Sequence, residues 1–250
     1  MDRPLGVVIM AAGKGTRMKN PDVAKVMYPI NGKPMIEHVV DLALKFESQN
    51  TVVIVGWQKD SVIEHLASTG KRVTCVEQSP QLGTGHAVMQ AELSLRDFEG
   101  DLLILSGDVP MLQHSTIREL LDLHRRERPS ATVLTAVLDD ASGYGRIVRD
   151  AGNDVIAIVE HKDATEEQRS IGEINSGIYV FDKVDLFEGL KQITPNNVQK
   201  EYYLTDVFDF FRKNDLRVCA VVAKNPKENQ GINTLQQLEE ARALMAVSLS

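Results

Sequence analysis

Lys14, Arg17, Lys19 and Lys25 place four cations within twelve residues, opposed by Asp22 alone, in a 250-residue chain whose formal charge is −7. They surround Gly13-Lys14-Gly15-Thr16-Arg17, which follows the apolar run Val7-Val8-Ile9-Met10 and the small pair Ala11 and Ala12. Glycines let a backbone approach a ligand and take positive φ, and successive free N–H groups make a cavity for anions. A buried strand delivering such a loop at its carboxyl end is suited to holding phosphate. The dinucleotide pattern G-x-G-x-x-G fails, because Met18 stands where the third glycine belongs. The P-loop pattern fails as well, since no Gly-Lys-Ser/Thr closes the loop. Either a phosphate loop or a plain surface turn fits these residues taken alone.

Two further stretches carry chemistry. Gln78–His86, QSPQLGTGH, offers two side-chain amides at Gln78 and Gln81, each with donors and an acceptor for the edge of a base. Gly83 and Gly85 permit close approach, and Thr84 is placed to cap a following helix. A capped loop without a ligand is the competing reading, and His86 is read as packed rather than catalytic. The other is Gly107-Asp108, where a carboxylate directly follows an apolar run. Mg²⁺ bound with a triphosphate takes one or two carboxylates and fills its shell with phosphate oxygens. Asp108 suits that role, or that of a turn aspartate. Asn233, after Gly231-Ile232, either gives the metal a second oxygen or caps the last helix.

The elements that must position these groups follow an α/β rhythm. Apolar runs predict strands at 7–10, 51–55, 73–76, 102–105 and 131–138. Helical spacing predicts helices from Pro34 to Leu44 and over 60–68, 84–95 and 117–126. Residues 25–30 read as extended before an Asn31-Gly32 turn. Strand-then-helix units imply a mostly parallel sheet with helices on both faces. The rest is mixed: strands at 144–149, 155–160, 177–181 and 217–222, and helices at 184–192, 204–213 and 234–245. No linker or repeat separates the halves, so one domain over 1–250 is expected. It divides into a nucleotide half at about 6–110, a second-substrate half at about 111–233, and a C-terminal helix over 234–250.

Composition sets limits. Hydrophobic content of 43% and charged content of 25% are those of an ordinary globular chain. No apolar run approaches the roughly 18 residues of a membrane helix, and the N-terminus makes a poor signal peptide. Acidic balance argues against nucleic-acid binding. Two cysteines, Cys75 and Cys219, both in strand-like runs, are expected as buried reduced thiols, which favours the cytoplasm.

The series AAGKGTRM, QLGTGHA, GDVP, GYGRI, EHKDAT, EINSGIYVF and EYYLTD, in this order, resembles the sugar-nucleotidyltransferase family from about residue 6 to residue 240. The resemblance is greatest to its uridylyltransferases of the N-acetylglucosamine branch, usually the N-terminal half of a bifunctional enzyme. It implies a Rossmann-like nucleotidyltransferase fold with a mixed, β-rich sugar-binding half. It implies Ala11, Ala12, Gly13 and Gly15 lining the nucleotide, with Arg17 and Lys25 on the phosphates. Gln78, Gln81, Gly83 and Thr84 would hold uracil and ribose, and Asp108 and Asn233 would hold Mg²⁺. Gly145, Glu160, Asn175 and Thr205 would hold the sugar phosphate. The implied substrates are UTP and N-acetylglucosamine 1-phosphate, with no nucleic acid and no membrane partner.

Two departures from that family stand out. Ala24-Lys25 replaces a usual Pro-Lys, so the rigid lead-in to the lysine is lost. Ser106 replaces a tyrosine carried before Gly-Asp by a bifunctional member, which removes a wall near the sugar and leaves sugar selectivity open. Short-period repeats of a left-handed β-helix are absent, so no acetyl-CoA activity is expected, and a monomer or weak dimer is favoured without that trimer-forming half. The same chemistry on glucose 1-phosphate, or a non-catalytic nucleotide sensor, are the alternatives. A Rossmann oxidoreductase is weaker, for want of the third glycine.

Overall fold

The computed structural model describes residues 3–247; the expected single domain and C-terminal helix extend to residues 1–2 and 248–250, which lie outside the described residues. The first half contains β1 (Leu5–Ala11), β2 (Pro29–Ile30), β3 (Lys33–Pro34), α1 (Met35–Ala43), β4 (Asn50–Val55), α2 (Lys59–Ser68), β5 (Thr74–Glu77), α3 (Thr84–Met89) and β6 (Asp101–Ser106). The second contains α4 (His114–Glu127), β7 (Ala131–Val137), β8 (Arg146–Arg149), β9 (Val155–Val159), α5 (Glu166–Arg169), β10 (Glu173–Asp182), α6 (Lys183–Leu190), α7 (Val207–Lys213), β11 (Val218–Val222) and α8 (Leu235–Val247).

One nine-stranded sheet runs through both halves, with path β11-β7-β10-β6-β1-β4-β5 and the β8–β9 hairpin attached to β10. β1 lies parallel to both β4 and β6. The chain therefore runs outward from β1 through β4 to β5, then returns to the other side of β1 as β6. The carboxyl ends of β1 and β6 flank this reversal, which is where open α/β sheets bind ligands.

β1 is apolar without interruption because it is covered twice. Its Val7, Ile9 and Ala11 enter a core with Ile36 and Val40 of α1 and Ile117 and Leu120 of α4. Val8 enters the opposite core, with Val88 of α3, Leu186 of α6 and Phe208 and Phe211 of α7. Helices on both faces of a mostly parallel sheet bear out the expected fold class. The antiparallel pairings of this sheet are those of β10 with β6, β7 and β8, and of β8 with β9.

Several expectations need correction. Residues 25–27 form a 3-10 turn rather than an extended stretch, and the strand that follows has two residues. The Asn31-Gly32 turn is present, with φ of 49° and 79°, as a two-residue hairpin of type I′ requires. The expected helix over 84–95 breaks after Met89 and resumes as a 3-10 turn at Leu93–Leu95. There the Gln90 side chain donates to the His86 carbonyl at 2.9 Å, and the backbone N–H of Gln90 donates to Ala87 O at 3.2 Å. The strand expected at 177–181 is the longer β10. α5 was not foreseen, although Thr165 and Gln168 form a capping box legible as T-x-x-Q. Cys75 and Cys219 are free and half-buried, on the two edge strands rather than in the core. Among the described residues no helix is long and apolar enough to cross a membrane.

Met18, in the position that breaks the dinucleotide pattern, is 2% exposed and packs with Ile30, Met35, Ile232, Leu238 and Ala241. It fastens the glycine loop to α8. Met18→Ala should cost about 2–5 kcal/mol of unfolding free energy through the cavity left behind, measured by urea denaturation.

Candidate active site

The loop after β1, the loop before α3 and the end of β6 enclose a cleft of about 510 Å³. Ala11, Ala12, Gly13, Gly15 and Lys25 line one wall, Gln78, Gln81, Gly83 and Thr84 another, and Asp108 the floor with Ser106. Nine residues expected on the nucleotide and its phosphates, and Asp108 expected on the metal, thus meet in one place. Glu201 lines the same cleft and was not among the expected site residues, although it stands in EYYLTD.

Lys25 is the centre of the charge pattern. Its ammonium pairs with Asp108 Oδ2 and donates to Asn233 Oδ1 at 2.9 Å. Gly15 makes room for it: at φ 60°, a Cβ there would fall 2.6 Å from Lys25 Cβ. Ala24 does not displace the lysine. It is 1% exposed, with φ −58° and ψ 131°, the backbone that a proline would impose.

Asn233 is not the cap of α8. Thr234 takes that part: its Oγ1 accepts from Gln237 N at 3.2 Å, and Gln237 Oε1 accepts from Thr234 N at 3.1 Å. The Asn233 amide is left to accept from Lys25 and to donate to Gly231 O at 3.1 Å. Ile232 N also donates to Asp108 O at 2.9 Å, tying the end of β6 to the entry of α8.

These positions fit a divalent cation. Asp108 Oδ2 and Asn233 Oδ1 already share one positive charge, the Lys25 ammonium, so they converge on a cation-sized point. Gly231 lies beside that point, where a Cβ would make ordinary contact with Asp108 Oδ2 at 3.4 Å. Among the described residues no group of three or more His, Cys, Asp or Glu is placed to hold a metal. A cation here would complete its shell from phosphate and water.

Other expected residues sit differently. Arg17 is exposed on the 3-10 turn Thr16–Met18 and outside the cleft wall. Left-handed residues at both ends, Gly15 and Lys19, turn Met18 inward and Arg17 outward. Gln78 is 3% exposed, and its amide donates to Gly83 O at 2.8 Å, stitching its own loop. Thr84 does not cap α3. Its Oγ1 accepts from Leu204 N at 2.9 Å, joining the nucleotide loop to the second half. His86 lies between the Gln78 and Gln90 amides, and burial lowers its pKa, keeping it neutral.

The four expected sugar residues also cluster. Thr205 Oγ1 donates to Glu160 Oε1 at 3.1 Å, and Asn175 N donates to Gly145 O at 2.9 Å. The open side of Gly145 faces Asn175 Cβ and Glu160 Oε1, each 3.5 Å from a Cβ placed there. Burial raises the Glu160 pKa, with nearby Asp163 and Glu201 adding to it.

The fold and the cleft define the class. A putative glucose-1-phosphate thymidylyltransferase from Bacillus anthracis superposes with a TM-score of 0.77 at 21% identity, covering 96% of this chain and 94% of that one. A UDP-glucose pyrophosphorylase complexed with UDP-glucose gives 0.75 at 19% identity, covering 99% and 100%. The chain belongs to the nucleotidyl transferase family, whose model matches residues 6–225. It is 48% identical over 238 residues to the bifunctional protein GlmU of Brevibacillus brevis, covering 95% of this chain and 51% of the relative. GlmU of Listeria monocytogenes is 45% identical over the same length, with the same coverage. The chain thus spans about half the length of the curated relatives it matches, and the resemblance drawn from its motifs is borne out.

Asp206, beside Thr205, carries a second consequence. Burial first, then Glu160, Asp163 and Asp209, raise its pKa to about 6. The folded state therefore holds that proton more tightly than the unfolded chain. The resulting stability is full below about pH 4 and is lost as pH rises through 6. Asp206→Asn should stabilise the protein by about 1–2 kcal/mol at pH 7, allowing for solvent screening. The gain should vanish near pH 4 in chemical denaturation across that range.

Proposed function

We propose that this chain transfers the uridylyl group of UTP to N-acetylglucosamine 1-phosphate, releasing pyrophosphate and UDP-N-acetylglucosamine, in a cytoplasmic setting. The observation that carries the reading is the junction of two pockets. Asp108 lies two residues beyond Ser106, whose hydroxyl donates to Gly177 O at 3.4 Å, and Gly177 lies two residues beyond Asn175. The phosphate end of a nucleotide in the glycine cleft therefore meets the pocket of Gly145, Glu160, Asn175 and Thr205. Similarity to GlmU over nearly the whole chain supports the same choice.

In this reading a sugar phosphate oxygen attacks the α-phosphorus of UTP in line, and pyrophosphate leaves from the opposite side. A phosphate monoester is already a nucleophile, so no activated Ser, Cys or His is needed. The backbone of Gly13 and Gly15 cradles the triphosphate, and Lys25 neutralises its charge, whereas Arg17 stands outside the cleft wall. Gln81 and Gly83 hold the base and ribose, in a loop that the Gln78 amide keeps in shape. Glu160, Asn175 and Thr205 orient the sugar, so that catalysis is mostly positioning and electrostatics. Asp108 and Asn233 would hold Mg²⁺, which when bound offsets phosphate charge. A second reading, the same transfer to glucose 1-phosphate, stays open because the small side chain of Ser106 leaves sugar selectivity unfixed on that side of the pocket.

Pyrophosphate release from UTP, with a panel of sugar 1-phosphates and with and without Mg²⁺, tests this. N-acetylglucosamine 1-phosphate should be turned over in preference to glucose 1-phosphate, and only with the metal. Equal turnover of the two sinks the first assignment; no release with any sugar favours a nucleotide sensor. Asp108→Asn should lower turnover by about 100-fold or more, while calorimetric UTP affinity changes far less. Wild-type turnover in that variant would remove Asp108 from the mechanism.

A further inference from the structure

Tyr179 lies on β10, 2% exposed, its ring 5.3 Å from that of Phe181 and 5.9 Å from that of Phe208. A buried phenol needs a polar partner. Here it is the side chain of Asn175, whose Nδ2 donates to Tyr179 Oη at 2.6 Å. Burial also raises the Tyr179 pKa, so the hydroxyl stays protonated.

The rest of the Asn175 side chain is held by a bulge. Asn175 pairs with Thr135, and Ile178 with Leu134, so Ser176 and Gly177 are extra residues on β10. Gly177, at φ 78°, donates its N–H to Asn175 Oδ1 at 3.1 Å. Ser176 Oγ donates to Leu134 O at 2.7 Å and accepts from Ile178 N at 3.3 Å. Oδ1 is thereby fixed toward Gly177 and Nδ2 toward Tyr179, which removes the freedom of the amide to flip.

An Asn side chain has two N–H donors and two acceptor positions. One of each is spent on Tyr179 and Gly177, leaving one donor and one acceptor in a fixed orientation. That pair complements a second amide, which also offers one N–H and one carbonyl. A hydroxyl in the same place can also donate and accept, but from a single oxygen atom, so it cannot meet both groups in the parallel two-bond geometry that an amide offers.

We propose that Tyr179 is a positioning residue for sugar selectivity, its hydroxyl holding the Asn175 amide so that it presents one N–H and one acceptor to the acetamido group of the sugar 1-phosphate. This rests on the function proposed above.

The test is steady-state pyrophosphate release by Tyr179→Phe, Asn175→Ala and the double variant, with N-acetylglucosamine 1-phosphate and glucose 1-phosphate. Tyr179→Phe should raise KM for the acetamido sugar about five- to tenfold. It should leave kcat and the KM for UTP within about twofold, and draw the kcat/KM ratio of the two sugars toward unity. On the Asn175→Ala background it should move that ratio no further. An unchanged ratio in folded Tyr179→Phe, an equal loss of kcat with both sugars, or independent effects in the double variant would overturn the proposal. Should Tyr179→Phe fail to fold, Asn175→Asp replaces it. A carboxylate accepts the Tyr179 proton but has no N–H to offer, so discrimination must fall, and retained discrimination overturns the proposal. A wild-type enzyme that uses both sugars equally overturns this proposal and the function together. A wild-type preference that survives Tyr179→Phe overturns this one alone.

Discussion

One ammonium group organises the active cleft. Lys25 joins Asp108, 83 residues away, and Asn233, 208 residues away, so three distant segments converge on a single charge. The side chains of Lys25 and Asp108 are only 13% and 18% exposed, and charges so far withdrawn from water must be paired. The pairing restricts everything around it. Gly15 must be glycine because the lysine stem passes beneath it. Asn233 must be released from capping, and Thr234 releases it. The turn after β6 must deliver both the carboxylate and the carbonyl of Asp108, one to Lys25 and the other to Ile232.

The two pockets are coupled by backbone as well as by charge. Tyr202 O accepts from Gly85 N, and Tyr202 N donates to Leu82 O, both at 2.8 Å. The segment carrying Glu201 and Thr205 is therefore laid against the nucleotide loop like an additional strand. A shift in the loop at residues 82–85 moves Thr205, and through Thr205 the carboxylate of Glu160. On the other side, Ser106 reaches the bulge of β10. Nucleotide and sugar groups thus sit on one connected scaffold rather than on two independent ones.

What was legible in the sequence follows from range. β1, β4 and β6 could be read because continuous apolar runs are a local signal of strands covered on both faces. The loops after them could be read because glycine, lysine and aspartate have few other reasons to follow such strands. The antiparallel β10 between β6 and β7 could not, since its place is decided by pairing across the molecule. Gln90 shows the limit at short range: the periodicity predicts a longer helix, and the hydrogen bonding tightens to a 3-10 pattern where the Gln90 N–H donates to Ala87 O. Asn233 shows another, because Asn before a helix is equally a cap or a ligand until Thr234 and Gln237 are seen to close on each other. Glu201 gave no signal of its own; its place in the cleft depends on how the residues around Tyr202 lie against residues 82–85.

Met18 explains why this loop suits a different task from a dinucleotide site. There, the third glycine lets a helix begin against the strand, and that helix N-terminus receives the pyrophosphate. Here the loop leads into a single 3-10 turn bounded by left-handed Gly15 and Lys19, and Met18 is driven into the cluster beneath α8. A turn of three residues has little dipole to offer, so positive charge must come from side chains and from whatever cation Asp108 and Asn233 can hold. That is consistent with the local excess of lysine and arginine in a chain of net charge −7. The packing of one methionine and the placing of one lysine are therefore two sides of the same solution: with no helix starting directly from the glycine loop, discrete charges stand beside it.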